Sequence, residues 1–153
     1  MKINVNNRIK LTHEFVEYIP DDIKDGTIYI SIVFATVVHK CCCGCGEEVV
    51  TPLSPTDWTL IFNGQSISLD PSMGNWNFDC QSHYWIKNNI VTWAPQWSQD
   101  KINAERHHDS LVKANYFGNA NASAAPDKVS IVRKTGAEKS KESFWRKLKK
   151  WIF

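Results

Sequence analysis

The sequence has no apolar run of the roughly 18–20 residues that a membrane span needs. Its opening "MKINVNNRIK" has no apolar h-region of the kind a signal peptide carries. The expectation is a cytoplasmic chain, in which thiols stay reduced. There are no internal repeats and no base-reading motif, and the body of the chain is acidic, so nucleic acid is not an expected partner. The cysteines number five in 153 residues. An odd number of cysteines, most only one or two positions apart, argues against a disulfide framework.

What is present is unevenly placed. Net charge is +2, yet residues 1–132 hold ten Lys/Arg against fourteen Asp/Glu, while residues 133–153 hold eight against two. The basic character therefore belongs to a tail. The aromatic content includes seven Trp. Four of the five cysteines, Cys41, Cys42, Cys43 and Cys45, crowd into "HKCCCGCGEEVV", and the fifth opens "CQSHYWI" at Cys80.

The length suits one domain with an appendage. "GTIYISIVFATVVHK" (26–40) is rich in Ile, Val, Thr and Tyr and reads as one long strand or two. "WTLIF" (58–62) and "SISL" (66–69) flank the turn residues Asn63-Gly64 and form an expected hairpin. "HYWIKNNIVTW" (83–93) forms another, turning at Asn88-Asn89. Residues 98–117 fit a helix with Ser98 as N-cap. The expected fold is mainly β (α+β): a small zinc-stapled antiparallel sheet domain over 1–117, with one or two helices in the C-terminal third. Residues 118–140, small and polar, read as a linker. In 141–153, Phe144, Trp145, Leu148, Trp151 and Ile152 make one helical stripe opposite Arg146, Lys147, Lys149 and Lys150. Such a basic amphipathic segment fits an anionic membrane surface or a partner's groove, or packs back on its own domain. It leaves room for a membrane-peripheral chain.

A thiolate set points to a metal, with Zn2+ the default. Alternate residues Cys41, Cys43 and Cys45 can point one way, Gly44 and Gly46 let the backbone curl, and Cys80 completes four ligands. Cys42 then points away. A rival set takes Cys43, Cys45, Cys80 and His83, using the C-x-x-H spacing, or admits His39. Four cysteines make a closed, structural site; three ligands and a water make a catalytic one.

Near Cys80 stand Ser72, Asn75, Ser82 and His83. If 80–86 is extended, Cys80 and Ser82 face one way and His83 the other, which makes Ser82 and His83 awkward partners. Ser72 lies in a Pro-Ser-x-Gly turn that can swing back to His83. A Ser–His pair needs about 2.6–3.2 Å between the two. Asp57 or Asp79 is a candidate to orient the imidazole, and N–H groups near Gly74 a candidate oxyanion site. The bland alternative is that these residues cap turns or bond to thiolates. His107 and His108 read as solvent-facing. Trp58, Trp76, Trp85, Trp93 and Trp97 read as core or as a binding groove.

"HKCCCGCGEEVVTPLSPTDW" (39–58), "SLDPSMGNWNF" (68–78) and "CQSHYWI" (80–86) carry a resemblance over 27–94, nearly half the chain. The block resembles the BubE-type component of bacterial ubiquitination-like (Bub) operons, a family long catalogued as a domain of unknown function. Many of its members have Pro or Ala where this chain has Cys42. The resemblance implies a zinc-containing serine peptidase that processes a ubiquitin-like protein's C-terminal tail or removes that protein from its targets. On this chain it implies zinc ligands Cys41, Cys43, Cys45 and Cys80, a nucleophile at Ser72 or Ser82, and His83 as base. Partners would be the tail and E1/E2-like conjugation proteins. Two other readings stand beside it: a non-enzymatic zinc-knuckle module that binds a ubiquitin-like protein or its conjugation enzymes, and a zinc hydrolase with an open metal position.

Overall fold

The computed structural model describes residues 8–123. Eight strands precede one described helix: β1 (Thr12–Phe15), β2 (Thr27–Ser31), β3 (Thr36–Lys40), β4 (Glu48–Pro52), β5 (Thr59–Phe62), β6 (Ile67–Gly74), β7 (His83–Lys87), β8 (Ile90–Trp93) and α1 (Gln99–Ser123). They make two four-stranded sheets in sequence order, β1-β2-β3-β4 and β5-β6-β7-β8. Pairing is antiparallel throughout except that β1 runs parallel to β2.

The β-rich stretch 26–40 folds as two strands because Ile32–Ala35 turn between them, with Ala35 at φ 46°. Both hairpins expected from the Asn signals form. Asn63 Oδ1 accepts the N–H groups of Gln65 and Ser66, and Gly64 takes φ 92°. Asn88 and Asn89 sit at φ 50° and 61°, the double left-handed step of a tight primed turn. The buried Asn89 side chain also accepts the Ile67 N–H and donates to the Leu11 carbonyl, tying the turn to both sheets.

The inward faces of the two sheets share one core. Ile28, Ile30, Val37 and Val49 come from the first sheet, and Ile67, Leu69, Met73, Tyr84, Ile86 and Val91 from the second. Each such fully buried aliphatic side chain contributes roughly 1.5–3 kcal/mol. Tyr29, Val38 and Val50 point to the far side of the first sheet and pack with Ile23, Val16 and Ile19. That is why β2 is buried along its whole length rather than alternating.

Ser98 caps α1, its Oγ accepting the Lys101 N–H at 3.3 Å. The helix is largely solvent-facing; Ile102 is its buried apolar residue among those described. Three polar contacts tie it to the body. Lys101 Nζ lies 4.1 Å from the Trp97 ring centroid, Arg106 donates to Asn77 at 2.7 Å, and Lys113 pairs with Asp57 at 2.6 Å. The helix runs to Ser123, past position 118 where the linker was expected to begin. The rest of that segment and the amphipathic stripe at 144–152 lie outside the described residues. Among the described residues no helix is long and apolar enough to cross a membrane.

Candidate functional site

The chain leaves β3 at Lys40 and turns through 41–47 before β4 begins. Gly44 and Gly46 adopt φ 87° and 84°, a conformation that side chains with a Cβ resist. The turn closes with the Cys41 N–H on the Glu47 carbonyl and the Gly44 N–H on the Cys41 carbonyl. It brings the sulfurs of Cys41, Cys43 and Cys45 to that of Cys80, all within 4.8 Å of one another. Cys41 and Cys43 are 3.4 Å apart and Cys41 and Cys80 3.9 Å. A tetrahedron with metal–sulfur bonds of about 2.3 Å has edges of about 3.8 Å, so the four thiols fit one tetrahedral ion. Cys42 stands outside this set. It packs against the core beside Tyr84, and burial pushes its thiol up to about 12, which keeps it protonated.

Ser82 is fully buried behind the cysteines. Asn75 Nδ2 donates to its Oγ at 2.8 Å, which leaves the hydroxyl proton for the Cys41 sulfur at 3.0 Å. The Asn75 N–H bonds the Ser82 carbonyl. Ser82 therefore holds the clustered sulfurs and the turn at Asn75 together. On the same side, His39 Nε2 meets the Tyr84 hydroxyl at 2.8 Å, and burial lowers the His39 pKa to about 4, leaving it neutral.

His83, the next residue, points through the sheet to the opposite face. Its Nδ1 lies 2.7 Å from the Pro95 carbonyl, which can only accept, so Nδ1 carries the proton. In the neutral ring Nε2 is then an acceptor, and it receives the Ser72 hydroxyl at 2.9 Å. Ser72 reaches it because the β6–β7 ladder shifts register between Leu69 and Met73, which swings 70–72 out of the regular pleat. His83 is buried and Ser72 half-buried. Three indoles enclose the imidazole: Trp76 at 4.9 Å, Trp97 at 5.0 Å and Trp85 at 6.0 Å between ring centroids. Trp76 lies over Gly74, where a Cβ would collide with its ring. The Trp set thus divides, since Trp58 and Trp93 pack on the core instead.

The structure brings Ser72 to His83 and Ser82 to the cysteines. Both ring nitrogens of His83 are engaged away from the sulfurs, and neither His83 nor His39 belongs to the metal-type cluster. Among the described residues no carboxylate takes the orienting place beside His83, whose Nδ1 bonds the Pro95 carbonyl. Asp57 accepts from Ser54 at 2.6 Å and pairs with Lys113, and Asp79 lines a shallow cleft of about 190 Å³ beside Cys45 and Cys80. The orienting group is a main-chain carbonyl, which no side-chain pattern announces. Two hydrogen bonds and one ring stack hold its segment in place. Ala94 N–H donates to the His83 carbonyl, Gln96 Nε2 donates to the Gln81 carbonyl at 3.0 Å, and Trp97 stacks on Trp76.

An acceptor-tautomer imidazole beside a serine hydroxyl is the arrangement that activates a serine nucleophile. Among known proteins, no curated protein and no solved structure matches the chain. One family does: that of BubE, the bacterial ubiquitination-like system serine protease, matches residues 15–94, just over half the chain. That span contains the four clustered thiols, Ser72, Ser82 and His83, and the chain belongs to the BubE family.

Proposed function

We propose that the protein is a serine peptidase that cleaves at the C-terminal tail of a ubiquitin-like protein, with Ser72 as nucleophile and His83 as base. The single observation that carries this is the 2.9 Å contact from Ser72 Oγ to an unprotonated His83 Nε2 whose Nδ1–H is fixed on Pro95. Ser72 Oγ attacks the carbonyl carbon of the scissile bond while its proton passes to Nε2. The resulting imidazolium keeps its bond to the Pro95 carbonyl. It then gives the Nε2 proton to the departing amine as the carbon–nitrogen bond breaks. A water deprotonated by the same nitrogen releases the acyl group and restores Ser72. The three indoles exclude solvent from the imidazole, which strengthens its interactions with charge that develops at the carbonyl.

In this reading the four cysteines hold a structural Zn2+. The near-tetrahedral spacing of the sulfurs supports the ion, and a complete set of four thiolates supports a closed shell rather than an open one. The metal's contribution is to anchor Cys80, two residues before Ser82 and three before His83. Membership of a ubiquitination-like family supports a ubiquitin-like partner and, with it, contact with the conjugation enzymes.

The test is cleavage of a ubiquitin-like precursor from the same bacterial system. Ser72→Ala and His83→Ala are expected to abolish it, and Ser82→Ala to spare it. Retained cleavage by Ser72→Ala would refute the assignment. A zinc-knuckle module that only binds would leave the wild type without cleavage.

A further inference from the structure

β6 is eight residues long and β5 only four. β5 accompanies β6 as far as Thr59 opposite Asp70 and no further. The preceding residue, Trp58, turns off to the other sheet, its N–H on the Pro52 carbonyl and its bridge to Leu53. Beyond Asp70, β6 therefore has β7 on one side and no described strand on the other. Pro71 is exposed there, and Ser72 and Gly74 are half-buried.

The direction of the main-chain groups in this stretch follows from the ladder. The Asn75 N–H bonds the Ser82 carbonyl, and the His83 carbonyl bonds outward to Ala94 rather than back to Gly74. Antiparallel pairs alternate between bonded and non-bonded, so Met73 opposite Tyr84 is bonded and Gly74 opposite His83 is not. Met73 thus turns both its N–H and its C=O to β7. In a trans peptide the carbonyl and the following N–H point opposite ways. The Ser72 C=O, the Gly74 N–H and the Gly74 C=O consequently face the side that β5 has vacated. An acceptor, a donor and an acceptor are set along an open edge, beside the hydroxyl that meets His83.

We infer that this edge, residues 72–74 of β6, is the docking site of an extended peptide tail, bound main chain to main chain in line with β5. This rests on the serine peptidase reading and adds to it the place and register of the substrate. The occupant is a strand-forming tail with free N–H groups on alternate residues, which meets the edge as an added strand. One tail residue opposite Gly74 donates to the Gly74 carbonyl and accepts from its N–H. The residue two positions away donates to the Ser72 carbonyl. The tail's own carbonyls then pass beside Ser72 Oγ, which explains why the nucleophile stands where β5 ends.

The test uses the full chain, a fluorophosphonate that labels an activated serine, and short capped alanine peptide aldehydes as competitors. The aldehydes are prepared unmodified and with a single N-methyl group at each position in turn. The expected result is labelling at Ser72 that the parent aldehyde prevents. N-methylation at two positions, two residues apart, weakens that protection about tenfold each, the scale of one lost hydrogen bond to a buried partner. N-methylation at the position between leaves protection unchanged. Equal protection by all the aldehydes, equal loss at every position, or no protection by the parent would overturn edge docking while Ser72 labelling upholds the peptidase. Absence of labelling at Ser72 would overturn the peptidase reading itself, and the docking with it.

Discussion

Ser82 and His83 are neighbours in sequence and sit in opposite worlds. Ser82 is enclosed with Cys41, Cys80 and Asn75 on the core side of the sheet. His83 emerges on the far side against Ser72, Pro95 and three indoles. One peptide step, through the alternation of an extended chain, separates a residue bonded to the clustered thiols from a residue bonded to a serine hydroxyl. A serine next to a histidine in sequence is thus a poor guide to a serine–histidine pair. The partner comes from eleven residues away, across a register shift.

Breaking the two sides separately should give different signatures. The largest effect is expected at the pair itself. Ser72→Ala or His83→Ala should lower precursor cleavage by about 10³-fold or more with metal content by mass spectrometry unchanged. Cys80→Ser strikes the anchor that both sides share. If the four thiols hold a structural zinc as proposed, it should lower bound zinc, thermal midpoint and cleavage together, since the binding energy of a structural ion is folding energy. Ser82→Ala separates them again. It takes away the short acceptor of the buried Asn75 amide, leaving the weak 3.9 Å contact to Cys41, and should lower stability by about 1–3 kcal/mol in urea unfolding, with cleavage retained. Gly74→Ala forces Trp76 off its place beside His83 and should reduce kcat/KM about tenfold, the size of a modest misplacement of a catalytic group, with zinc retained. The smallest change is expected at Cys42. Cys42→Ala should leave zinc stoichiometry and cleavage intact and cost about 1 kcal/mol of packing.

Much of this was legible in the sequence because local chemistry decided it. The Asn63-Gly64 and Asn88-Asn89 signals placed two hairpins through their need for positive φ. The alternation of Cys41, Cys43 and Cys45 with Gly44 and Gly46 marked one metal-type turn, and Cys80 completed it. Three features were not legible, each for a physical reason. The parallel pairing of β1 with β2 depends on tertiary contacts such as the Asn89 side chain on Leu11. Alternation alone already set Ser82 and His83 on opposite faces, but the reach of Ser72 to the His83 ring depends on a register shift that no residue type encodes. The Pro95 carbonyl is main chain, and a search for an acidic residue leads instead to Asp57, which serves α1 through Lys113. The small polar residues after Phe117 resemble a linker in composition yet continue the helix to Ser123.

The most direct test of the division between scaffold and chemistry is the site of a fluorophosphonate adduct, mapped by peptide mass spectrometry on the zinc-loaded protein. The account predicts a single adduct on Ser72 that disappears in His83→Ala. An adduct on Ser82, or no adduct on a protein that cleaves its precursor, would contradict it.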